Sequence, residues 1–145
     1  KQVAFDLPKA KLIRTVDRLS CWAMIVYRIE SKDHGKGPYL DRVLGKKIQW
    51  DHHDEQHPCF LQDGIRDNPH FARHHAGFDS EEKMSEWFKG YGKKLKKCNY
   101  HIVVYDAEDD FVIHGKSQRQ VAFRRLYSKF VKKKEIDFMW SIVIA

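Results

Sequence analysis

The run CWAMIVYRI at residues 21–29 decides how the chain is read, because it is apolar and rich in β-branched side chains and then ends in polar turn residues. A surface helix would show a polar face at every turn. This stretch shows none, so it predicts a buried strand with Arg28 near its end. The residues that follow, SKDHGKGPY at 31–39, carry two glycines and a proline. They predict a loop whose backbone can approach a ligand closely. Upstream, Leu12, Ile13, Val16 and Leu19 recur at helical spacing after Pro8 and predict a short amphipathic helix over residues 9–19.

Further along, Met84, Trp87, Phe88, Tyr91 and Leu95 fall at i, i+3, i+4, i+7 and i+11. With Asp79 and Glu82 at capping-box spacing, the stripe predicts one long amphipathic helix over about 80–97. Its last turns hold Lys93, Lys94, Lys96 and Lys97, cations at the negative end of the helix dipole. NYHIVVY at 99–105 and FVIH at 111–114 flank an acidic turn at 106–110 and predict a hairpin. A further strand is expected at 120–123 after the Gly115 turn. In the basic stretch beyond it, Leu126, Tyr127 and Phe130 are expected to line a helix face, and residues 136–145 to form a closing buried strand.

A chain of 145 residues with 42% hydrophobic side chains can bury one core, so a single domain over 1–145 is expected. The fold class is α+β: a central, mostly antiparallel sheet from strands near 22–29, 100–105, 111–114 and 119–123, with the 80–97 helix packed across it. The net charge of +7 draws the protein toward polyanions, nucleotides or an acidic protein surface. Cys21, Cys59 and Cys98 are odd in number and form no CxxC pair, which fits a reducing compartment. No apolar run approaches the ~20 residues that cross a bilayer. A soluble, cytoplasmic protein that does not engage membranes is expected.

Three sets of residues carry candidate chemistry. Residues 45–78 lack a clear period and hold six of the nine histidines, and long irregular segments tend to be functional. Within them His52, His53, Asp54, Glu55, His57, Cys59, His70, His74 and His75 supply donors suited to zinc or iron, which would make a metal-dependent enzyme. Their spacing matches neither HExxH nor a Cys/His finger, and hydrogen-bonded loop histidines are the commoner outcome. A second set, Lys93, Lys94, Lys96, Lys97, Arg124, Arg125 and Lys132 to Lys134, is interleaved with Tyr91, Tyr100, Tyr127 and Phe130. It can track a phosphate backbone and stack bases, against the plainer reading of a solvated basic face.

The third set is distributed along the chain: Arg28 at a strand end, Gly37 and Tyr39 in the Gly/Pro loop, Phe78 and Ser80 before the long helix, and Gln118 and Gln120 before a late strand. This order resembles the ADP-ribosyltransferase-like fold. It also resembles a group of small phage proteins with the pattern YRxE, GPY, GF.S, WF, VY and QV.F. The resemblance spans about residues 24–125. It implies an NAD or nucleotide ligand, contacted by Arg28 with Gly37, Tyr39 and Phe78, and a phage-encoded protein acting on a host defence system. Carried over to this sequence, the catalytic roles fall on Arg28, Ser80, and Gln118 or Gln120. A transferase places Glu at the last position to stabilise positive charge on the ribose, and a Gln amide offers only a dipole. Capture of a nucleotide, nucleic acid or acidic host protein without turnover is the alternative.

Overall fold

The computed structural model describes residues 23–71 and 73–137. The expected helix at 9–19 and most of the expected strand at 136–145 lie outside them, although Ile136 is buried. Strand β1, Ala23–Ser31, pairs antiparallel along its whole length with the later strand Tyr100–Glu108, placing Arg28 opposite Val103. Alternation along β1 then divides two cores. Ile29, with half-buried Ile25 and Tyr27, joins Phe78, Met84, Trp87, Phe88 and Leu95 beneath the helices. Val26 joins Val103, Tyr105, Val121 and Phe123 against a second sheet.

The architecture is α+β, but with two three-stranded antiparallel sheets instead of one central sheet. A short strand, β2 at His75–Gly77, belongs to the second sheet, and the long central strand Tyr100–Glu108 is β3. Strands β4 (Val112–His114), β5 (Val121–Phe123) and β6 (Lys129–Lys134) follow. One sheet has the order β1-β3-β6 and the other β2-β5-β4. They meet where Tyr27 and Phe78 exchange backbone hydrogen bonds of 2.8 and 2.9 Å. Gly77 permits this approach, because a Cβ there would lie 2.5 Å from Val26 Cγ1.

Three sequence expectations are corrected here. The hairpin between 99–105 and 111–114 does not form. Both edges of β3 are taken by β1 and β6, so β4 pairs with β5 instead. The helix over 80–97 is two short helices, Glu81–Trp87 and Gly92–Lys97, separated where Gly90 adopts φ +87. The apolar stripe still faces inward on both sides of the break, with Met84 and Leu95 fully buried. The stretch carrying Leu126, Tyr127 and Phe130 is a 3-10 turn at Arg125–Tyr127 followed by β6, and all three side chains are exposed.

A helix was also missed inside the segment expected to be irregular. We label the helices α1 (Leu44–Asp51), α2 (Glu81–Trp87) and α3 (Gly92–Lys97). In α1 the buried apolar anchors are Leu44 and Ile48, too few to print a stripe in the sequence. Its start is fixed by Asp41, whose Oδ1 accepts from the Val43 and Leu44 amides at 3.0 and 2.8 Å. Those bonds, the one from Leu44 foremost, hold the Asp41 carboxyl below its usual range.

Candidate functional site

Arg28 and Glu30 stand two residues apart on one strand, so both point into the layer between the sheets. Arg28 Nε donates to Glu30 Oε2 at 3.1 Å, and its Nη1 donates to the Ala76 carbonyl at 2.7 Å. Glu30 also accepts from the Tyr105 hydroxyl at 2.6 Å and from Arg125 Nη2 at 3.2 Å. Arg125 Nε donates to the Tyr105 oxygen at 2.8 Å. Two guanidinium charges against one carboxylate leave this cluster with one positive charge. Burial, followed by the bond to Glu30, pushes the Tyr105 phenol up to about 12. Arg28 is therefore part of a shared buried ion pair at the end of β1.

The Gly/Pro loop lies directly on these guanidinium groups. A Cβ at Gly35, which has φ +72, would stand 3.0 Å from Arg125 Nη2, and one at Gly37 would stand 3.4 Å from Arg28 Nη2. The close backbone approach expected of the loop thus reaches the cationic cluster. Beside it opens a cavity of about 360 Å³ lined by Arg28, Gly37, Tyr39, Phe60, His75, Phe78, Trp87, Phe88 and Gln120, among others. Its walls combine aromatic rings with the Arg28 guanidinium. The His75 Nδ1 atom is buried with no hydrogen-bond partner among the described residues. Burial, then Arg28 and Arg125, lower the His75 pKa, with Glu30 opposing.

A hydrogen-bonded chain closes the other side. Trp87 Nε1 donates to the Tyr39 oxygen at 2.8 Å, and the Tyr39 hydroxyl is hydrogen-bonded to His52 Nδ1, 2.7 Å away. Burial, aided by the neighbouring His57, pushes His52 down to about 4, and the two imidazoles stack with centroids 3.6 Å apart. His57 faces Asp54 Oδ1 at 2.8 Å and the Trp87 carbonyl at 2.9 Å. Tyr39, His52, His57 and Trp87 also line a larger adjoining cleft of about 890 Å³.

The sequence-predicted residues divide accordingly. Arg28, Gly37, Tyr39, Phe78 and Gln120 come together around one cavity. Ser80 does not line it: its Oγ caps α2 by accepting from the Lys83 amide at 3.1 Å, the role its position before a helix dictates. Gln118 is exposed at φ +62 and lines a neighbouring part of the cleft. The Gln120 amide is committed, donating to the Pro58 carbonyl at 2.7 Å and to buried Asp63 at 3.1 Å. Lys93, Lys94, Lys96 and Lys97 lie on α3, and Arg124 and Arg125 follow β5. Among the described residues no three His, Cys, Asp or Glu side chains converge as a metal site, so the described histidines of 45–78 do not form one.

Sequence reasoning missed Tyr105 and Trp87 as parts of this region, and it did not pair Glu30 with Arg28. The period-2 placement of Arg28 and Glu30 was a legible signal of a shared face. Nothing in the sequence ties Arg125 to that pair.

Fold and site together define a small α+β domain in which an aromatic cleft adjoins a buried, positively charged cluster. Residues 24–137 match the family model described as Bacteriophage T4 Y00F protein, and the chain belongs to that family. The expected likeness to small phage proteins is thereby met. No curated protein and no solved structure matches the chain significantly. Among the described residues no helix is long and apolar enough to cross a membrane.

Proposed function

We propose that this phage-family protein captures a small anionic aromatic ligand, a nucleotide or NAD, in the cavity beside Arg28. One observation carries the reading: the buried Arg28 guanidinium, which shares the Glu30 carboxylate with Arg125, lines a pocket together with Phe60, Phe78, Trp87 and Phe88. With Glu30 divided between two guanidinium groups, an anion beside Arg28 meets a favourable field. Arg28 uses two of its N–H groups on Glu30 and Ala76. The guanidinium has five, so the remainder are free for phosphate oxygens. Aromatic walls suit a base or nicotinamide ring.

Binding without turnover is favoured over ADP-ribose transfer. The late-strand position offers the Gln120 amide, and that amide is already spent on Pro58 and Asp63. Removing NAD from host chemistry, or from a defence system that depends on it, is the role such capture would serve in a phage protein.

Titration of AMP, NAD, adenosine and inorganic phosphate against Trp fluorescence tests the reading. AMP and NAD should quench emission and raise Tm, and adenosine should bind at least tenfold more weakly. Arg28→Gln, which keeps Glu30 paired with Arg125, should weaken AMP binding about tenfold or more with an unchanged far-UV spectrum. No response to any nucleotide at millimolar concentration rejects the proposal. Labelled NAD that modifies a lysate protein replaces it with the transferase reading.

A further inference from the structure

The fold trims the basic surface outlined by the sequence to the edge of β6 and the turn before it. Tyr91 and Tyr100 are buried in the core and cannot stack bases. Arg125 is held by Glu30 and Tyr105, and Lys134 by Glu81 at 2.9 Å. Lys129 stands opposite Asp106 in register. What remains is Arg124 and Tyr127 before β6, and on its edge Phe130 and Lys133 to one side, opposite Tyr105 and Val103, with Lys132 to the other, opposite Val104. Tyr127 is 59% and Phe130 56% exposed, and Leu126 beside them is 79% exposed. The Arg124 guanidinium lies 4.3 Å over the Tyr127 ring, and its buried Nε lacks a hydrogen-bond partner among the described residues. Residues 124–134 hold six Lys or Arg and no Asp or Glu.

We propose that this edge of β6, with the turn that leads into it, binds single-stranded nucleic acid. Exposed aromatic rings interleaved with unopposed cations are what an unpaired strand requires, since its bases need faces to stack on and its phosphates need positive charge. Charge complementarity selects a polyanion. The exposed Phe130 ring, with the face of Tyr127 that Arg124 leaves uncovered, selects one with unstacked bases over a duplex. Addition of a protein strand to the same edge is opposed by the lysines along it and by the register shift between Val104 and Tyr105. The edge is separate from the Arg28 cavity, whose lining includes neither β6 nor the 3-10 turn before it.

Fluorescence anisotropy of a labelled oligothymidylate about 20 nucleotides long, read against full-length protein at 50 and 200 mM KCl, tests it. Wild-type protein should bind at low salt and weaken steeply as salt rises. The Lys132→Glu/Lys133→Glu variant should lower the log–log salt slope by about 1.4, at ~0.7 for each phosphate contact on a single strand. Phe130→Ala should lose roughly tenfold in affinity, the scale of one base–aromatic stack. All these side chains are exposed, so near-UV spectra should match wild type. The proposal is overturned if no binding is seen at 50 mM, if Phe130→Ala binds as wild type does, or if a duplex of equal length binds as tightly. Displacement of the oligonucleotide by polyglutamate at equal charge concentration also overturns it, in favour of an acidic protein partner.

Discussion

Glu30 holds three side chains at once, Arg28, Tyr105 and Arg125, while only 3% exposed itself. Removing its charge leaves Arg28 buried beside a second guanidinium with no carboxylate between them. Glu30→Gln should therefore lower the unfolding free energy by about 3–5 kcal/mol, the usual result of breaking a buried pair from one side. A urea midpoint close to wild type would show that the cluster contributes little to folding. Asp63 plays a comparable part for the backbone. It is buried and accepts from the Ser117 amide and hydroxyl at 2.7 and 2.9 Å, tying the irregular segment to the β4–β5 turn. At this scale the sequence displayed residue types without partners, since the contacts of Glu30 and Asp63 span from two to 95 residues.

The helical layer shows how a correct burial pattern can conceal a break. The positions Met84, Trp87, Phe88, Tyr91 and Leu95 are all buried, as the stripe predicted. The chain nonetheless leaves the helix after Trp87 and re-enters it at Gly92. Gly90 makes this possible at φ +87, with nothing within 4 Å of the position a Cβ would occupy. Gly90→Ala meets no steric obstacle and still strains the left-handed backbone. It should destabilise the protein by about 1–2 kcal/mol without raising helix content. An increase in far-UV helicity would mean that the two segments fuse and that packing does not enforce the break. The second sheet teaches the same point for strands. Val112–His114 reads as the return arm of a hairpin, and it goes to β5 because β3 already has a neighbour on each edge.

Over the whole molecule the histidines set the response to acid. Burial pushes His52 down to about 4 from 6.5, and it lowers His75 and His101 as well. A folded-state pKa below the unfolded value means that the unfolded chain binds more protons between the two. The stabilisation is complete above pH ~6.5 and is lost as pH falls toward 4, so Tm should drop steadily between pH 7 and 5 in a thermal scan. A flat or rising Tm over that window would contradict the buried, neutral state of these rings. The sequence by itself determined the α+β class, β1 with its apolar faces, and the inward stripe of α2 and α3. Those features depend on local periodicity, which a strand or helix imposes on its own residues. Only the tertiary structure decided the split into two sheets, the sharing of Glu30 by two arginines, and which cations stay open on β6. Each of these depends on neighbours brought together from distant parts of the chain, and local periodicity carries no record of them.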